Sequence, residues 1–352
     1  MTRLYTKRIS SYAYLRAAAC IAIILLHICN AAEILYRDQI TLAEKIASLS
    51  VVSCMMWAVP CFVMVSGALL LDPKRTVTIR RIFSRYLLRI FLALVICCVL
   101  FRGFDMVMNG EPVSPVFITD GLWKMLTGGS WAHLWYLYLL IGIYLLLPFY
   151  RKVAEYSSKA ELKYLLLVYF LFLSVLQMTQ LAGAQTAFYI HVSTIYPFYL
   201  FAGYAIAERK VKITFPVSFA LLGAGAAGVV ICTCLRWAYQ LEVLDCLLNY
   251  SSVFTVLISC GVFSLFCGGA GAQEKQAAKP GKAGKILESI DANSFGIYLL
   301  HMMAVRLILR YYGLNPFRYG MWMFLLLTVF IFAVTYLVVR LLRTIPAVRI
   351  IL

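Results

Sequence analysis

Charge is scarce in this sequence. Asp, Glu, Lys and Arg make up 13% of its 352 residues, about half of what a soluble domain carries. Too few polar residues remain to cover a water-facing surface. Acid is scarcer still, with 15 Asp and Glu against 32 Lys and Arg, and histidine occurs only four times. No HExxH, Walker or GxGxxG pattern occurs and the 11 cysteines form no CxxC pair, so no metal site or nucleotide loop is expected. The cysteines lie mostly within apolar runs and read as small apolar fillers rather than disulfide partners. A cleavage site is missing too. The basic N-terminus and the apolar run after it look like a signal peptide, but no small-x-small site follows, so the run is expected to stay as a first helix.

Long apolar runs fill the rest. With 63% hydrophobic residues and a mean hydropathy of +0.87, the chain reads as an all-α integral membrane protein without a separate soluble domain. About ten runs are long enough to span, near 13–33, 49–71, 84–104, 131–149, 162–182, 190–207, 215–237, 250–268, 293–311 and 320–342. Basic residues alternate between the connections. With residues within two positions of a run's end counted in the adjoining connection, the two termini and the even-numbered loops hold 22 Lys and Arg, the odd-numbered loops 7, and three (Arg16, Arg89, Arg306) lie inside runs. That bias predicts both termini in the cytoplasm. It also accounts for the net charge of +17 as topology, so no nucleic-acid partner is expected. Stretch 102–130 reads as the longest outer loop, and 268–285, rich in Gly, Ala and Lys, as a flexible cytoplasmic linker.

Two groups that a bilayer penalises sit in the first run, Arg16 near its start and His27 deep inside. Eleven positions at roughly 100° each make three turns plus about 20°, so both side chains leave the same face, about 16 Å apart along the axis. An ionisable group kept at such a cost is a functional candidate. His301 falls near the middle of the ninth run, and packing of the first run on the ninth would set two imidazoles face to face, a place for proton transfer. His133 and His191 open the fourth and sixth runs and read as interfacial residues. Glu33 lies six residues beyond His27, off its face, where it can orient an outer partner but cannot bond the imidazole. Asp291 reads as the cap of the ninth helix.

Arg81, Arg85 and Arg89 recur every four residues as the third run begins, which stacks three guanidinium groups on one slowly drifting face. Like charges so arranged call for an anion, either lipid headgroups or a phosphate-bearing ligand. The second run ends Val59-Pro-Cys-Phe-Val-Met-Val-Ser-Gly67, where Pro60 and the Ser66–Gly67 pair favour a kink and a close backbone approach.

These residues resemble a known family. Arg16 and His27, with ten residues between them, resemble the R-x10-H signature of the membrane acyltransferase-3 family, which includes bacterial O-acetyltransferases of surface polysaccharides. Val59 to Gly67 resembles that family's P-x-F-x-x-x-SG stretch, and His133-Leu-Trp-Tyr-Leu-Tyr with Leu147-Pro148 its HLW-F/Y-L…P segment. Tyr196-Pro-Phe-Tyr-Leu-Phe-Ala-Gly and Ser294-Phe-Gly-Ile-Tyr298-Leu-Leu-His301 match in order, giving one acyltransferase-3-like transmembrane domain over 10–343. The resemblance implies a bacterial multi-pass inner-membrane enzyme without the extracellular hydrolase domain that some members carry. It implies acetyl-CoA, or another acyl-CoA, as a co-substrate rather than a permanently bound cofactor, and a glycan or lipid-linked glycan as acceptor. Membrane lipid is the remaining expected partner.

On that reading His27 is catalytic, as general base or transient acyl carrier. Arg16, Arg85, Arg89 and Arg81 bind acyl-CoA, although the family's RxxR on the third helix is matched here only by Arg85 and Arg89 four apart, with Tyr86 where a strict motif needs Arg. His301, Tyr298, Ser66, Glu33 and His133 are supporting candidates. The alternative function class is a transporter or flippase of a glycan or acyl group, for which neither inverted repeats nor paired broken helices are found. A membrane scaffold would leave Arg16 and His27 unexplained.

Overall fold

The computed structural model describes residues 2–112, 114–184, 194–268 and 282–352, with side chains from residue 11 onward and, after the last gap, from residue 284. Most of the linker predicted at 268–285, and His191, lie outside the described residues. Helices build the protein and no strand occurs among the described residues, in keeping with an all-α membrane protein.

The first predicted run is helix α1 (Thr2–Tyr36). The second is broken into α2 (Leu42–Met55) and α3 (Ala58–Leu70). The break at Met56–Trp57 falls where Pro60 can neither donate to nor clear the carbonyl four residues before it. The third run is α4 (Ile79–Met108), with a π-helical turn at Ile82–Leu87. Loop 102–130 is not irregular: it folds a helix of its own, α5 (Val116–Thr127), which starts after Pro115 and ends at Gly128 with φ 74°. Helix α6 (Trp135–Tyr156) follows a 3-10 turn at Ala132–Leu134. Then come α7 (Lys159–Ala182), α8 (Tyr196–Ala207), α9 (Phe215–Ala238), α10 (Val253–Cys267), α11 (Lys282–Arg306), α12 (Trp322–Leu342) and a short α13 (Pro346–Ile351).

Thr41 with Glu44 and Ser158 with Glu161 form capping boxes that start α2 and α7. Among the described residues, eight stretches are long and apolar enough to cross a membrane by length and composition; α8 and α10 fill the sixth and eighth predicted runs as shorter helices. Many large apolar side chains on the spans are exposed, as lipid allows. On α12, Leu325, Val329, Leu337 and Leu341 are exposed while Phe324, Leu327, Ile331 and Val339 are buried. The 11 cysteines form no disulfide among the described residues.

Helix α1 is the hub, touching α2, α3, α10, α11 and α12. Its contact with α11 and the π-helical turn that continues it (Leu307–Tyr311) keeps one register from Arg16 to Tyr36. Arg16 pairs with Asp291, Cys20 Sγ meets the Ser294 carbonyl at 3.7 Å and the Tyr36 hydroxyl donates to the Leu309 carbonyl at 2.5 Å, with sequence separations of 275, 274 and 273. A near-constant offset means that the two helices run parallel, so each end of α1 meets the matching end of α11.

Helices α3 and α8 meet backbone to backbone. A Cβ on Gly67 would sit inside the Leu200 carbonyl, and one on Gly203 inside the Met64 carbonyl. This is the close approach read from the Ser66–Gly67 pair, and it is reciprocal. Such small-residue contacts drive helix association where lipid removes the hydrophobic drive. Gly203→Ala is therefore expected to destabilise the fold by about 1–3 kcal/mol through overpacking. Melting of the purified protein in detergent checks this, and an unchanged midpoint would show that the helices are free to part.

Candidate active site

Three histidines from three elements converge. His27 comes from α1, His133 from the turn before α6 and His301 from α11. Their ring centroids lie 5.2 Å apart for His27 and His301, 5.6 Å for His133 and His301, and 6.3 Å for His27 and His133. The facing of His27 and His301 expected from the sequence is present. His133 departs from expectation: it is 1% exposed, not interfacial. The cause lies in its partners. Its Nε2 meets the Leu299 carbonyl at 3.2 Å, and its own carbonyl accepts a hydrogen bond from the Tyr298 hydroxyl, so α11 draws the turn inward.

These bonds fix which nitrogen is available. A carbonyl only accepts, so His133 Nε2 carries hydrogen. His301 Nδ1 likewise donates to the Tyr298 and Ile297 carbonyls at 2.7 and 3.2 Å. In the neutral ring the opposite nitrogen then holds a lone pair. Those atoms, His133 Nδ1 and His301 Nε2, are buried without a hydrogen-bond partner among the described residues. His27 is only part-buried, and none of its ring nitrogens is bonded among the described residues. The cluster thus sets two fixed acceptors beside one imidazole free to exchange a proton with a ligand. Tyr298 lines the chamber, 6.0 Å from both His133 and His301 by ring centroid, but its hydroxyl is committed to the His133 carbonyl.

An aromatic and ionic plug covers the chamber. Trp131 stacks on Phe101 at 4.3 Å, the Arg306 guanidinium lies 3.8 Å over its ring and its Nε1 donates to Asp105 at 2.8 Å. Arg306 also pairs with Asp105 at 2.9 Å. A cavity of about 220 Å³ opens beside this plug, lined by Gly128, Ser130, Trp131, Ala132, Trp135 and Tyr138. Around it, Arg102 bonds Glu111 and Asp120, and its hydrogen bonds hold both carboxyls below the usual carboxylate range.

The other end of α1 is basic. Arg16 makes a bidentate pair with Asp291, 2.5 and 2.8 Å. Asp291 is thus no helix cap: it stands well inside α11, one helix over from Arg16. Arg89 joins the group, with its guanidinium 4.9 Å over the Phe295 ring and bonds to the main-chain oxygens of Ile351 and Leu352 at 3.0 and 2.6 Å. Arg343, which sequence reading counted only as a topological charge, bonds the Ala292 carbonyl and, at 3.0 Å, Asn293 Oδ1.

The other candidates stand apart. Arg81 and Arg85 are exposed, and no contact joins them to this group among the described residues. Ser66 donates to the Phe62 carbonyl in its own helix at 3.0 Å. Glu33 is buried and pairs with Lys45 at 3.4 Å, away from the histidines.

A family model described as an acyltransferase domain, of the acyltransferase-3 type, matches residues 9–343. The chain belongs to this family. It is a multi-pass membrane acyltransferase, as the five motifs implied. No curated protein and no solved structure matches it. Within this acyltransferase, three family-like segments supply one histidine each to the same chamber.

Proposed function

We propose that the protein moves an acetyl group from acetyl-CoA in the cytoplasm to a hydroxyl of a cell-surface or lipid-linked glycan across the bacterial inner membrane. One observation carries this reading: the parallel pair α1–α11 bears guanidinium groups at one end and the histidine chamber at the other. Eleven steps along the helix take Arg16 to His27, about 16 Å, a span that suits a carrier held by its phosphates at one end and reacting at the other. The excess of basic residues in the connections at the arginine end supports placing that end in the cytoplasm.

In the reaction, His27 takes the proton from the acceptor hydroxyl as the oxygen attacks the thioester carbonyl. The C–O bond forms, the C–S bond breaks, and the imidazolium returns its proton to the departing thiolate, giving the ester and free CoA thiol. His301 Nε2 lies where it can accept hydrogen from the imidazolium and steady it. The guanidinium groups hold the phosphates. Lipid surrounds the exposed apolar faces.

The test is direct. Purified protein in detergent, given radiolabelled acetyl-CoA and a membrane glycan extract, should transfer label to glycan. Label that stays on CoA in detergent, together with glycan movement in sealed vesicles, would instead establish a transporter.

A further inference from the structure

Three guanidinium groups from three separate segments gather on one short stretch of α11. Arg16 on α1 holds Asp291, Arg343 after α12 holds Ala292 and Asn293, and Arg89 on α4 lies over Phe295. Among the described residues, Asp291 is the one side-chain carboxylate paired with any of them, while Arg89 also bonds the main-chain oxygens of Ile351 and Leu352. Arg89 and Arg343 are close enough to feel each other's charge. Three guanidinium groups outnumber the carboxylates that pair with them, which leaves positive charge where an anion with several oxygens fits.

We infer that this is a phosphate-binding site in which Asp291 is the resident anion, exchanged for a phosphate of the ligand when it binds. Arg343 is its third arm. The geometry of the Arg16–Asp291 pair supports exchange. A fork of two parallel N–H···O bonds is the arrangement in which guanidinium also receives phosphate, so the incoming oxygens take over the bonds that the carboxylate leaves. The pair also ties α1 to α11 at the arginine end. Between that tie and the chamber, Cys20 and Ile23 on the shared face are buried, so the stripe from Arg16 to His27 is covered while the two helices stay clasped. Release of Asp291 removes the clasp on the side from which the carrier enters.

The inference rests on the acyl-CoA reading for the identity of the ligand, but not for the exchange itself. Its test is the affinity of CoA for the full chain in phosphatidylcholine nanodiscs. Asp291→Asn keeps the shape, removes the competing charge and is expected to bind CoA about 10-fold more tightly, the scale of one charged hydrogen-bonded pair. Arg343→Gln is expected to weaken CoA about 10-fold and to leave pantetheine, which lacks the nucleotide phosphates, unaffected. A gain of affinity cannot arise from misfolding. Should Asp291→Asn fail to fold, Arg343→Gln decides, and unchanged CoA affinity in it overturns the site.

Wild type that binds CoA with no gain in Asp291→Asn overturns the exchange and leaves the donor reading standing. Wild type that ignores CoA but binds inorganic pyrophosphate, more tightly in Asp291→Asn, keeps the exchange and removes CoA as donor. Binding of neither overturns both. In discs containing phosphatidylglycerol, competition against CoA that disappears in Arg343→Gln identifies a lipid phosphate as an occupant of the same site, and the absence of competition assigns the site to the soluble ligand.

Discussion

His27→Ala is expected to lower acyl transfer by about 100- to 10,000-fold, the range of a lost general base. Among the described residues no other imidazole is placed to substitute. His133 and His301 each have one nitrogen bound to a main-chain carbonyl and are buried, 1% and 0% exposed, whereas His27 is part-buried with both nitrogens unbonded among the described residues. The loss should fall on turnover. CoA affinity should be retained, because the guanidinium groups lie about 16 Å away along α1. Glycan acetylation followed by mass spectrometry in cells, together with CoA binding by the purified variant, measures both. Activity near wild type would remove His27 from the chemistry, and loss of CoA binding would recast it as a residue of the donor site.

Much of this site was legible because helical geometry is periodic. Arg16 and His27 share a face by arithmetic, and the apolar runs locate their helices. His301 could be paired with His27 on the assumption that the first and ninth runs touch, which the parallel register of α1 and α11 bears out. Asp291 was misread because Asp before an apolar run is the usual signature of a helix start, and the helix in fact begins at Lys282. A signal was present nonetheless: Asp291 precedes His301 by ten positions much as Arg16 precedes His27 by eleven, so the two helices carry matched pairs. The depth of His133 was not legible, since it depends on a turn that α11 pulls inward through Tyr298. Helix α5 was readable in hindsight from Pro115 and Gly128 at its two ends. The part played by Arg343 follows from tertiary contacts alone, and no local pattern separates it from the other basic residues near the C-terminal end.

Loss of the His301 side chain should cost on the order of 100-fold, the low end of the acid–base range, and the manner of the loss matters more than its size. His301 Nε2 is held as an acceptor by two carbonyls on the opposite side of the ring, 2.7 and 3.2 Å from Nδ1, and its ring lies 5.2 Å from that of His27, centroid to centroid. If its work is to steady the imidazolium of His27, removing it has nothing to act on once His27 is gone. The pair should then be strongly non-additive: His27→Ala with His301→Ala should be no slower than His27→Ala alone. His301→Gln, which keeps an acceptor oxygen, should recover part of the activity of His301→Ala. An independent role in packing predicts the opposite pattern, since a cavity left by the ring would lower the melting temperature, add its penalty to that of His27→Ala and gain nothing specific from an acceptor atom. Measuring the four rates of the cycle alongside the four melting temperatures separates the two accounts, and additive rates would return His301 to a purely structural place.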